Sequence, residues 1–139
     1  MNVVPDTHVL VSGLLSPCGP CGDIVRLVLD GALVLSVDAR ILTEYEDVLK
    51  RPRFRIDPRH TDALLHDLIE SSLPYSAPPL QTTLPDEGDR PFPEVAACSG
   101  SLLITGNLKH YPPARRCGVH VLNPRQFLEH HPSPEDERT

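Results

Sequence analysis

No tryptophan occurs in this chain, and aromatic residues make up only 4% of its 139 positions. Stacking platforms for nucleotide bases are therefore not obvious from composition. No apolar run approaches the ~20 residues that a membrane-crossing helix needs. The opening also lacks the basic stretch of a secretory leader, so a cytoplasmic protein is expected. Cations are outnumbered, with 13 Lys and Arg against 19 Asp and Glu and a net charge of −6. That balance argues against nucleic-acid binding through a broad basic patch, but not against chemistry in which metal cations offset clustered acids. The four cysteines, Cys18, Cys21, Cys98 and Cys117, sit in a chain long enough to bury a core without cross-links. Free thiols are expected.

Proline, by contrast, is abundant at 16 residues and punctuates the elements. The organising stretch is the start, Val3-Val4-Pro5-Asp6-Thr7-His8-Val9-Leu10. It reads as a strand that delivers Asp6 to its carboxyl end, with a helix beginning at Thr7 or His8 and running to Leu15. A second helix is expected from Cys21 to Asp30, with Gly31 just past its end. Ala32–Val37 is a continuous apolar run of the kind covered on both faces. Helices follow at Ala39–Lys50 (stripe Ile41, Tyr45, Val48, Leu49) and from about Pro58 to Ser72. A Pro-rich segment from Leu73 to Pro85 holds one edge strand. Pro91 opens a helix to Ser99, Ser101–Thr105 and Val119–Leu122 are strands, and Pro124–His130 is a closing helix. Alternating strands and helices imply a parallel sheet with helices on both faces. One domain over residues 1–131 is expected, followed by a polar, disordered tail at 132–139.

In such sheets ligands sit beyond the carboxyl ends of the strands, and Mg²⁺ or Mn²⁺ there takes carboxylate oxygens. Asp6 is the first candidate; its plainer role is an N-cap, but Thr7 could cap as well. Glu44 and Glu46 flank the two sides of the Ile41/Tyr45/Val48 stripe, and periodicity does not choose between them. Asp89 stands just before the Pro91 helix, on the side of its inner face, with helix capping as its plain role. Glu94 projects away from Asp89 and is expected on the surface. Asn107 follows the strand in a Gly-Asn turn, with Thr105 placed to orient a metal-bound water.

Four segments occur in order: Asp6-Thr7-His8-Val9-Leu10-Val11-Ser12, Leu42-Thr43-Glu44-Tyr45, Asp89-Arg90-Pro91-Phe92-Pro93-Glu94-Val95-Ala96 and Ile104-Thr105-Gly106-Asn107-Leu108-Lys109-His110. Together with Asn123-Pro124-Arg125-Gln126-Phe127-Leu128, the chain resembles the PIN-domain family, and within it the VapC-like toxins of toxin–antitoxin pairs. The resemblance runs to about Glu129. It implies a three-layer α/β/α domain with a central, mainly parallel sheet. It also implies an acidic cluster that binds Mg²⁺ or Mn²⁺ and cleaves single-stranded RNA. Asp6, Glu44 and Asp89 match the first three acids, so the resemblance, not the helical wheel, selects Glu44. Asn107 stands where many members carry a fourth acid. His8 replaces the usual Asn after Asp-Thr, and Pro5 removes a strand N–H. The resemblance further implies a small antitoxin partner and a homodimer. Lys109, His110, Arg115 and Arg116 follow Asn107 and are candidates to meet RNA phosphates; a solvated loop is the plain alternative.

Other readings compete. Cys18-Gly19-Pro20-Cys21 spells a thioredoxin-type redox tetrapeptide, but a helix and Ser16-Pro17 precede it instead of a strand. A haloacid-dehalogenase-type phosphatase wants a second Asp where His8 stands. A non-catalytic PIN-like protein that binds RNA or protein fits His8 and Asn107, though three intact carboxylates crowded without metal would repel one another.

Overall fold

The first apolar run forms strand β1 (Asn2–Pro5), buried along all but its first residue. Strands β2 (Val34–Val37), β3 (Leu73–Pro74), β4 (Leu102–Ile104) and β5 (Val121–Leu122) run parallel to it in one sheet of order β3-β2-β1-β4-β5. Val3 lies opposite Leu35 on one side and Leu102 on the other. These strands belong to a computed structural model that describes residues 1–52 and 57–131. The expected tail from Pro132 lies outside the described residues.

Among the described residues six α-helices accompany the sheet: α1 (Thr7–Leu15), α2 (Pro20–Leu29), α3 (Ala39–Leu49), α4 (Pro58–Ser71), α5 (Pro91–Ser99) and α6 (Pro124–His130). Their starts follow from local chemistry. Proline occupies the first turn of α2, α4, α5 and α6, where its missing N–H has no intrahelical partner to lose. Asp38 caps α3 by accepting from the Ile41 N–H at 2.9 Å. Gly100, at φ 70°, ends α5 in the left-handed conformation that glycine adopts freely. Asn123 and Gln126 close a reciprocal capping box on α6.

Helix α5 packs across β1, β2 and β4, while α1 lies against α2 and α3, and α2 against α4 and α6. Helices thus cover both faces of the sheet, as right-handed crossovers require. The helices α1 and α2 meet closely, since a Cβ on Gly13 would sit 2.4 Å from the Cys21 carbonyl oxygen. The core is mostly aliphatic, with Val3, Val4, Val37, Ile41, Val95, Leu103 and Ile104 fully buried, and Tyr45, Phe92, Tyr111 and Phe127 add aromatic rings to it. The last strand begins at Val121, not Val119, because the Val119 N–H closes a turn onto the Arg116 carbonyl. Among the described residues no helix is long and apolar enough to cross a membrane.

The strand order runs outward in two directions, from β1 to β2 and β3 on one side and from β4 to β5 on the other. Connections leave β1 and β4 in opposite directions, and a crevice opens beyond their carboxyl ends. Asp6 and Thr105 stand there.

Candidate active site

Asp6 follows β1 directly, and its N–H donates to the Ile104 carbonyl at 2.8 Å. It caps α1, as the plainer reading had it: Oδ1 accepts from the Val9 N–H at 2.9 Å. Oδ2 accepts from the Thr105 hydroxyl. The alternative cap, Thr7, lies inside the helix with its hydroxyl buried and without a hydrogen-bond partner. Burial pushes the Asp6 carboxyl above the ordinary range. The Thr105 and Val9 hydrogen bonds and the charges of His8 and His110 oppose that shift.

Helix α3 separates the two acids that periodicity left open. Glu46 turns outward and pairs with Lys50 at 2.7 Å. Glu44 is half-buried and lines a cavity beside Asp6. Between them Tyr45 is buried and donates its hydroxyl to the Pro5 carbonyl at 2.5 Å. Burial, and then the charges of Asp6 and Glu44, keep that phenol protonated far above its usual range.

Asp89 ends a 3₁₀ turn, Glu87–Asp89, which Asp86 caps by accepting from the Gly88 N–H at 2.8 Å. It does not cap α5; Arg90 occupies that position without a side-chain cap. His110 Nδ1 lies 2.9 Å from Asp89 Oδ2. That contact is an ion pair when the imidazole is protonated, and it engages the oxygen that faces the cavity. Burial raises the Asp89 pKa; the charge and hydrogen bond of His110 oppose this, and the charges of Asp86 and Asp6 add to it.

These three acids line one cavity of about 430 Å³ at the end of the sheet. Asn107 is exposed at its mouth, and its N–H donates to the Thr105 hydroxyl at 3.1 Å. Thr105 is fully buried and lies behind Asp6 instead of in the cavity wall. Of the expected phosphate contacts, only His110 lines the cavity. Lys109 and Arg115 are exposed outside it, and Arg116 donates Nε to the Tyr111 carbonyl at 2.8 Å. His8 and Arg51 also line the cavity. Arg51 was not singled out from the sequence, because it lies two residues past the end of α3, where helical periodicity gives no signal.

The model of the family described as PIN domain matches residues 2–109. The chain belongs to the PIN-domain family. No curated protein matches it. Among solved structures, it superposes on a chain of VapBC2 from Rickettsia felis, crystallised bound to a DNA fragment from their promoter. The TM-score is 0.55 at 13% identity, over 88% of this chain and 98% of the other. At that identity the likeness establishes the fold. Asp6, Glu44, Asp89, Thr105 and Asn107 all fall within the matched PIN segment, whereas Arg115 and Arg116 lie beyond it.

PIN domains are nucleases that generally use divalent metal ions. In this PIN domain no three His, Cys, Asp or Glu side chains among the described residues are drawn into a preformed metal cluster. The donors nevertheless suit a hard cation. Three carboxylates face one cavity, and two of them are held above their ordinary pKa chiefly by burial, a cost that a bound cation would offset. The residues present therefore fit Mg²⁺ or Mn²⁺.

Glu94 departs from expectation. Instead of facing solvent it is 4% exposed, and Oε1 accepts from Arg40 at 2.8 Å. Its other oxygen accepts from the Leu80 N–H at 3.1 Å and lies 3.3 Å from Arg90 Nε. The segment before Asp89 folds back over α5 and covers it. The four cysteines are free. Cys21 sits in the first turn of α2, but burial and the charge of Asp6 push its thiol up, opposite to an activated redox thiol.

Proposed function

We propose that this PIN domain is a Mg²⁺- or Mn²⁺-dependent endoribonuclease that hydrolyses phosphodiester bonds of single-stranded RNA. In this reading it is the cytoplasmic toxin of a toxin–antitoxin pair. The observation that carries the nuclease reading is the meeting of Asp6, Glu44 and Asp89 in one cavity where the strand order reverses. The structural likeness to a VapBC2 chain supports the toxin reading, and the proposal includes a small antitoxin as partner and a homodimer as the toxin's own assembly.

Asp6, Glu44 and Asp89 would hold the cation directly or through water. When bound, such an ion polarises the scissile phosphate and lowers the pKa of an attacking water. Thr105 keeps the Asp6 carboxylate in one orientation. Asn107 supplies a neutral amide at the mouth, placed to orient the attacking water. Arg51 would offset phosphate charge around the acids, with His8 and His110 beside it as hydrogen-bond partners. Lys109, Arg115 and Arg116 would meet phosphates farther along the strand.

The deciding experiment compares parent and Asp6→Asn on a generic single-stranded RNA with Mg²⁺, Mn²⁺ or EDTA. Metal-dependent cleavage that disappears in Asp6→Asn is the expected result. No cleavage by folded parent under any metal would replace this reading with a PIN-like binding domain.

A further inference from the structure

Tyr45 joins the two halves of the proposed site without lining its cavity. Its hydroxyl reaches across 40 residues of sequence to the Pro5 carbonyl. Each partner is peptide-bonded to a candidate ligand, Tyr45 to Glu44 and Pro5 to Asp6.

The need for this hydrogen bond follows from strand geometry. Within a planar trans peptide the C=O and N–H point opposite ways. The Asp6 N–H points to Ile104 on β4, so the Pro5 carbonyl points to the β2 side. There the paired residues of β1 and β2 are Asn2 with Val34 and Val3 with Leu35, and Pro5 lies beyond them. A buried carbonyl at that place requires a donor. The buried phenol of Tyr45 provides one.

We propose that Tyr45 is a positioning residue, whose hydroxyl on the Pro5 carbonyl fixes α3 against the end of β1 and so sets the separation of Glu44 and Asp6. Helical geometry makes this setting sensitive. A slip of α3 by one residue turns Glu44 through about 100° and moves it about 1.5 Å along the axis, which takes its carboxylate out of the cavity wall. This inference rests on the reading of Asp6 and Glu44 as metal ligands, and it adds the element that spaces them.

The test uses the full chain as parent, Tyr45→Phe and Val121→Ala. Val121 is buried in β5, away from α3, and serves as a control for general destabilisation. In metal-free protein, amide hydrogen exchange over residues 39–49 is expected to be faster in Tyr45→Phe than in either of the others. In calorimetric titration with Mn²⁺, Tyr45→Phe is expected to bind about tenfold more weakly, the scale of other changes behind a metal ligand. Val121→Ala should keep the parental affinity. Parental Mn²⁺ affinity in Tyr45→Phe, or α3 exchange no faster than in the control, overturns the assignment. If the parent binds no Mn²⁺ while Tyr45→Phe still loosens α3, the metal reading falls and the Tyr45 pin stands.

Discussion

Thr105 donates its hydroxyl to Asp6 Oδ2 at 2.5 Å, joining the ends of β4 and β1 where the strand order reverses. Its oxygen also accepts from the Asn107 N–H. One buried hydroxyl thus orients an acid and shapes the turn beside it.

Thr105→Val keeps the volume and removes both interactions. It is expected to cost about 1–3 kcal/mol, the penalty for orphaning buried polar groups, and to lower metal-dependent cleavage well beyond that loss of folded protein. Thr105→Ser restores the hydroxyl and should recover both. Urea unfolding beside a cleavage assay checks this. Full activity in Thr105→Val would show that Asp6 needs no such restraint.

Glu94 and Glu46 offer a second contrast. Glu94 is buried and accepts from Arg40 and the Leu80 N–H, with Arg90 beside it. Weakening these charge-assisted hydrogen bonds costs about 1–3 kcal/mol, since the arginines themselves keep access to water. Glu94→Gln should therefore lower the melting temperature sharply. Glu46 pairs with Lys50 on the surface, where ion pairs add little, and Glu46→Gln should melt as the parent does. Equal melting temperatures for the two variants would contradict the buried position of Glu94.

Arg51 lines the acidic cavity, whereas Arg115 is exposed outside it. In an Asp6→Asn background, which spares the RNA, Arg51→Gln should weaken binding of a short single strand. The slope of log K against log salt should flatten by about 0.7, the loss of one phosphate contact. Arg115→Gln should do less. The reverse ranking would move the RNA path toward residues 109–116.

The Cys18→Ser/Cys21→Ser double variant is expected to retain cleavage in full, because neither thiol lies in the cavity and Cys21 is held protonated. Loss of activity in the folded double variant would reopen the redox reading.

Element positions were largely legible because their signals are local. Pro91 opens α5 and Pro124 opens α6, as the sequence patterns indicate. The choice between Glu44 and Glu46 was not local. Both flank the same apolar stripe, and only the placement of α3 over β1 turns one to the cavity and leaves the other to Lys50. Glu94 was misread as exposed for a similar reason. Its cover comes from the Leu80 backbone and from Arg40 on α3, neither of which a helical wheel of α5 contains. The cap role of Asp6 and its place in the cavity proved compatible, since its two oxygens are engaged separately.

The two outermost strands are each two residues long, and β3 ends on Pro74, which has no N–H to offer. A neighbouring chain seeking to extend this sheet by backbone pairing finds almost no ladder to continue at either border. The fold is thereby guarded against edge-to-edge stacking, and association with another polypeptide is directed to its helices and loops, with side chains in place of main-chain rungs.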